Sequence, residues 1–154
     1  MSVINWGIIG LGNIANKFSL AFKDLKNSKL ISVASKNINK LQKFQDQFNL
    51  DKDYCFNNYE EILYNKEIDI IYIALPHKLH FEWIVKCIDC KKNVLTEKPA
   101  TVSFKEIEQI NKKLKQTKVF FAEGFMYRFH PQTIKLVDII KQNEIGELQS
   151  MSSY

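Results

Sequence analysis

Apolar and polar positions along this chain repeat in one order. A short apolar run comes first, then a longer stretch with apolar residues three and four apart. Val3-Ile4-Asn5-Trp6-Gly7-Ile8-Ile9 predicts a buried strand, and Ile14, Phe18, Phe22 and Leu25 predict the helix after it. Leu30–Ser35 predicts a second strand, and Asn37 can cap a helix whose apolar stripe is Leu41, Phe44 and Phe48. Tyr54-Cys55-Phe56 reads as a short third strand, with a brief helix opened by Asn58 and running through Ile62 and Leu63. Asp69–Leu75 is almost wholly apolar, as a central parallel strand covered on both faces should be, and Pro76 ends it. Leu79, Trp83, Ile84, Cys87 and Ile88 mark another amphipathic helix, and Asn93–Thr96 a fifth strand. Ser103-x-x-Glu106 is a capping box, with Phe104, Ile107, Ile110 and Leu114 on the face behind it. Lys118–Ala122 predicts the sixth strand.

Strands alternating with helices predict an α/β architecture with a doubly wound parallel sheet. Right-handed crossovers leave the Rossmann dinucleotide-binding fold as the simplest topology. That domain is expected over residues 1–123. Beyond it the rhythm breaks. Gly124–Pro131 is aromatic and irregular, Pro131 suits the first turn of a helix, and Ile134, Val137 and Ile140 carry that helix toward Gly146. Glu147–Tyr154 reads as the start of a strand. Residues 124–154 are thus expected to be a connecting segment, a helix and the first strand of an incomplete α+β domain.

The join between first strand and first helix is Gly10-x-Gly12-x-x-Ala15. In a dinucleotide-binding turn, Gly10 permits the sharp bend and Gly12 lets backbone approach a pyrophosphate. Ala15 lets the helix pack close to the strand. The free N–H groups at the helix start, around Asn13 and Ile14, would face the phosphates. Glycines also serve ordinary turns, so the strand-to-helix placement carries the reading.

Three further features fall at strand ends, where such sheets present ligands. Leu75-Pro76-His77-Lys78-Leu79-His80 follows strand four, and either histidine suits a ribose, a substrate or a plain helix start. Glu97-Lys98-Pro99 follows strand five. A lysine fixed there could shuttle a hydroxyl proton, or be one more solvated surface lysine. Tyr127-Arg128 holds the only arginine of the chain, whose planar fork suits a carboxamide, carboxylate or phosphate, or a structural ion pair.

The end of strand two bears on cofactor choice. An NAD site usually carries Asp or Glu about twenty residues past the glycines. Here Ser35, Lys36, Asn37 and Lys40 stand instead, which favours NADP, with NAD still accepted.

The net charge of +5 is spread over scattered lysines and points to a solvated surface in preference to nucleic acid. Three cysteines are too few for a disulfide framework, and Cys87-x-x-Cys90, inside a helical pattern, reads as two buried or half-buried thiols with no metal. With no membrane-length apolar run and no signal-peptide pattern, a cytoplasmic location is the default.

Taken together, Gly10-x-Gly12-x-x-Ala15, Pro76-His77-x-x-His80, Glu97-Lys98-Pro99 and Tyr127-Arg128-x-His130-Pro131 resemble the glucose–fructose oxidoreductase / inositol dehydrogenase / MocA family. Ala122–Arg128 is most similar to its dihydrodiol-dehydrogenase-like members. The resemblance implies an NAD(P)-dependent oxidoreductase acting on a sugar, polyol or related hydroxy compound. It implies Lys98 as the catalytic lysine at nicotinamide and substrate, Glu97 beside the nicotinamide ribose, His80 under the cofactor and Arg128 near the nicotinamide end. It also implies a full second domain that lines the substrate pocket and supports a homo-oligomer. A 154-residue chain with only the start of that domain is not expected to be fully active. A non-catalytic dinucleotide-binding or interaction module is the competing class.

Overall fold

The computed structural model describes residues 3–152. The chain divides into two compact units, one ending at Gly124 and one beginning at Phe125.

The first unit is built on a six-stranded sheet whose strands pair in parallel throughout. Its strands are β1 (Ile4–Ile9), β2 (Ser28–Ala34), β3 (Cys55–Phe56), β4 (Ile70–Ile73), β5 (Asn93–Thr96) and β6 (Phe121–Glu123). Their spatial order is β3-β2-β1-β4-β5-β6. The chain starts mid-sheet, winds outward through β2 and β3, then returns to β4 beside β1 and winds the other way. In sheets of this kind a crevice forms at such a reversal, here at the carboxyl ends of β1 and β4, and ligands bind in it.

Five helices connect these strands: α1 (Asn13–Leu20), α2 (Ile38–Phe48), α3 (Tyr59–Tyr64), α4 (His80–Asp89) and α5 (Phe104–Leu114). All four residues of β4 are buried, and the two-residue period of a strand shares the last three between two cores. Ile71 and Ile73 join Ile9, Ile62, Ile84, Ile88 and Ile110 on one face. Tyr72 joins Ile8, Leu11, Ala15, Leu41 and Phe44 on the other. Each such aliphatic side chain removed from water contributes about 1.5–3 kcal/mol.

Helix starts follow their caps. Asn37 accepts the Lys40 N–H at 3.0 Å, and Asn58 accepts that of Glu60 at 3.0 Å. Ser103 accepts the Glu106 N–H at 3.4 Å, while Glu106 reaches back to the N–H of Val102 at 3.0 Å, one residue before the capping residue itself.

Several expected boundaries move. α1 stops at Leu20 and tightens into a 3-10 turn over Ala21–Asp24, which lets the chain reach β2 by Ser28. Leu25 therefore falls off the helical face and is 48% exposed. Phe104, at the first turn of α5, is 76% exposed, and of that helix only Ile110 is buried. β6 starts at Phe121 and not Lys118, because the Asn93 side chain takes the N–H of Phe120 at 2.9 Å.

In the second unit a 3-10 turn over Met126–Phe129 leads to α6 (Pro131–Lys141). Pro131 opens that helix, and the His130 ring accepts the Gln132 N–H at 3.2 Å. The helix ends short of Gly146, after which residues 147–152 form no strand. The strand expected over Glu147–Tyr154 is thus not found there; Ser153 and Tyr154 lie outside the described residues. A single extended segment has no ladder to join, and this unit has no other strand among the described residues.

Candidate functional site

Gly10 adopts φ +90°, and a Cβ there would sit 2.6 Å from the Ala74 carbonyl oxygen and 2.8 Å from Leu75. The β1–α1 turn is therefore pressed onto the end of β4, and glycine is required on both counts. Gly12 is different. It is the N-cap of α1, makes no side-chain cap, and an added Cβ would meet nothing within 4 Å. Asn13 and Ile14, both exposed, follow it, and the first turn carries no acidic residue. Open space thus lies before the positive end of a helix with unsatisfied N–H groups. Ala15 is fully buried against the β1 and β4 side chains Ile8 and Tyr72, as close helix–strand packing demands.

At the end of β2, Ser35 is buried. Its N–H donates to the Phe56 carbonyl at 3.0 Å, and its hydroxyl oxygen accepts the Asn37 N–H at 3.2 Å. Ser35 shapes the turn, while Lys36 and Lys40 stand exposed. The Lys36 ammonium lies 5.5 Å from the centre of the Tyr59 ring.

At the end of β4, Leu75 is buried and Pro76 and His77 are exposed. His80 is fully buried, with Nδ1 2.7 Å from the Pro99 carbonyl oxygen and Nε2 2.8 Å from that of Leu75. Each ring nitrogen lies within hydrogen-bond distance of a backbone carbonyl, and a nitrogen that carries a proton donates to it. The ring thereby braces the loops after β4 and β5 against each other.

At the end of β5, the Glu97 N–H donates to the Ile73 carbonyl at 3.0 Å, fixing Glu97 beside β4. Its Oε1 accepts the Tyr72 hydroxyl at 2.6 Å. Ala100 N–H donates to Glu123 Oε1 at 2.8 Å, and Gly124 N–H to the Thr96 carbonyl at 2.8 Å. A Cβ on Gly124 would come within 3.2 Å of that carbonyl and 3.5 Å of Glu97 Oε1. Lys98, flanked by these anchored neighbours, is exposed and makes no ion pair among the described residues.

Sequence reasoning passed over Tyr72, Glu123 and Gly124. One signal was there to read: a lone tyrosine in Ile70-Ile71-Tyr72-Ile73 needs a partner for its hydroxyl once buried. Arg128 belongs to the second unit, where it is exposed and forms no ion pair among the described residues.

Away from the crevice, Cys87 is buried and Cys90 half-buried, both free thiols, and burial pushes the Cys87 thiol well above its usual range. Among the described residues no three His, Cys, Asp or Glu side chains gather as a metal site would require. No helix among them is long and apolar enough to cross a membrane.

Comparison with known proteins agrees with this fold. The model of a family described as "Oxidoreductase family, NAD-binding Rossmann fold" matches residues 4–125. Mouse trans-1,2-dihydrobenzene-1,2-diol dehydrogenase is 32% identical over 95% of this chain and 44% of its own length. A dTDP-3,4-didehydro-2,6-dideoxy-alpha-D-glucose 3-reductase of Actinomadura kijaniata is 28% identical, over 97% of this chain and 45% of its own. The crystal structure of a 3-ketoreductase from that organism, in complex with TDP-benzene and NADP, superposes with TM-score 0.83 at 28% identity, covering 95% of this chain and 46% of that one. Scyllo-inositol dehydrogenase from Lactobacillus casei, with bound NAD(H) and scyllo-inositol, shares the fold at TM-score 0.88 and 23% identity, over 95% of this chain and 43% of its own. The chain spans under half the length of the curated relatives it matches.

Proposed function

We propose, since this chain belongs to the oxidoreductase family with the NAD-binding Rossmann fold, that it is the part of an NADP-preferring enzyme that holds the cofactor. The enzyme would move hydride between NADP(H) and a sugar, polyol or related hydroxy or keto compound. The observation that carries this reading is the start of α1, with open space beyond Gly12, no side-chain cap and no acid in its first turn. A pyrophosphate there would satisfy the N–H groups of Asn13 and Ile14 and meet no like charge.

The nicotinamide, when bound, supplies the hydride acceptor or donor. The protein's part is to place it and manage the proton. Glu97 offers a carboxylate to a ribose hydroxyl. Lys98, exposed between two anchored residues, can hold or release a substrate hydroxyl proton at Nζ. His77 and Pro76 line the rim at the end of β4, and His80 keeps that rim fixed to the loop carrying Lys98.

Ser35, Lys36 and Lys40 favour the 2′-phosphate of NADP. The turn offers no carboxylate to repel it, and two exposed ammonium groups flank it. Titrating NADPH and NADH against the fluorescence of Trp6 and Trp83 tests both levels. NADPH should bind saturably and more tightly, with the margin narrowing as salt is added. Ser35→Asp together with Lys36→Ala should reverse the order. Tighter NADH binding by the unaltered chain would overturn the preference alone, whereas no saturable binding of either would overturn the cofactor reading.

A further inference from the structure

Tyr72 is 2% exposed and sits at the centre of the fold, on the strand that closes the crevice against β1. Its ring stacks on Phe18 of α1 with centroids 4.1 Å apart and planes 30° apart. Its hydroxyl reaches past the pairing of Tyr72 with Leu95 to the Glu97 carboxylate, 2.6 Å away. One side chain thus touches both the helix whose start faces the crevice and the acid at the end of β5.

The bond has one sense. Burial first, then the neighbouring carboxylate, pushes the Tyr72 phenol far above its ordinary range, so it stays a donor. A donor at that distance from a carboxylate oxygen makes a short, charge-assisted bond. It occupies Oε1 and leaves Oε2 for another donor.

We infer that Tyr72 is a positioning residue: its hydroxyl holds the Glu97 carboxylate so that the second oxygen faces the hydroxyls of the cofactor's nicotinamide-side ribose. This rests on the cofactor reading above and adds the residue that orients the acid. A buried tyrosine whose hydroxyl merely found the nearest acceptor would matter to stability and not to which part of the ligand is held. The two roles separate by measurement.

ADP-ribose carries the terminal ribose and ADP lacks it. The native chain should bind ADP-ribose more tightly than ADP. Tyr72→Phe keeps the ring and its stacking, and should weaken ADP-ribose about fivefold while leaving ADP unchanged, about the net worth of one ordinary hydrogen bond. In a Glu97→Ala background, which should itself erase the ADP-ribose advantage, Tyr72→Phe should cost nothing more. If Tyr72→Phe failed to fold, Glu97→Gln supplies the contrast: its amide oxygen still accepts from Tyr72, so it should keep more of the ADP-ribose affinity than Glu97→Ala. Equal weakening of both ligands by Tyr72→Phe, no weakening of either, or an additive double variant would overturn the assignment and leave cofactor binding intact. A native chain that binds neither ligand would instead sink the cofactor reading, and this inference with it.

Discussion

Lys92 and Lys98 lie six residues apart, on either side of β5, in opposite circumstances. At the amino ends of the strands, the Lys92 ammonium is buried and donates to the carbonyls of Asn65 at 2.5 Å and Ile68 at 2.8 Å. Burial lowers its pKa, yet its partners hold it to the loop before β4. At the carboxyl ends, Lys98 is exposed and has no ion pair among the described residues, while its neighbours on both sides are tied down. The same side chain serves as a staple at one end of the sheet and as a free group on a fixed base at the other. The lesson is that an exposed group on a fixed base should govern ligand handling with little effect on stability, and a buried, backbone-bonded residue the reverse.

The two glycines of the β1–α1 turn put the largest effects into that contrast, and they cut it within a single turn. Gly10→Ala forces a side chain into a φ of +90° and against a backbone oxygen. It should cost about 3 kcal/mol of unfolding free energy, read from urea denaturation. Gly12→Val meets open space in the free protein, so its melting temperature should stay close to native. Its branched side chain would fill the pyrophosphate position, and NADPH affinity should fall by about a hundredfold, roughly 2.7 kcal/mol. Loss of stability from Gly12→Val equal to that from Gly10→Ala would break the distinction.

Under the proposed function, Lys98→Met should lower turnover by about a hundredfold, with NADPH affinity and melting temperature nearly unchanged. Lys92→Met should do the opposite. It strands two carbonyls and should remove about 2 kcal/mol of stability, with no change in NADPH affinity once the folded fraction is corrected for. A Lys92 variant that bound cofactor poorly while fully folded would show that the two ends are coupled through β5.

The carboxyl end was easier to read in the sequence than the amino end, and the reason is range. Gly10, Gly12 and Ala15 act on one turn, and Asn37, Asn58 and Ser103 each cap the helix beside them, so neighbours a few residues apart carry the signal. The unbroken apolar run of β4 declared a strand covered on both faces. Contacts that depend on strand register were not legible. Tyr72 meets Glu97, twenty-five residues on, only because β4 and β5 pair as they do. His80 matched a motif, but its burial and the two backbone carbonyls beside its ring have no local signal. Phe104 and Leu25 fit a helical stripe that the helix ends do not honour. Lys92 was one lysine among many, and nothing local marks it as buried.

The smallest effect expected concerns a cation that lies at neither end of the sheet. The Lys86 ammonium, on α4, sits 2.8 Å from carboxylate oxygens of both Glu60 and Glu82 and 4.2 Å from the centre of the Trp83 ring. The hydrogen bond from Lys86 lowers the Glu60 pKa, and the Glu60 bond raises that of Lys86. The sign follows from those directions. Glu60 is more acidic folded than unfolded, so its contribution is complete above the unfolded carboxyl pKa and is lost as pH falls through the folded value. The partners are more than a third exposed, and solvent screening holds such pairs to about 0.5 kcal/mol. Lys86→Met keeps a stem over Trp83 and removes the charge. It should therefore cost about that much at pH 7, and the gap from native should close as the carboxylates protonate in acid. Chemical denaturation at neutral and strongly acid pH, at low salt, reads the difference directly. A cost several times larger, unchanged in acid, would mean that packing against Trp83 and not charge is what Lys86 contributes, and the residue would then belong with the staples of the amino end.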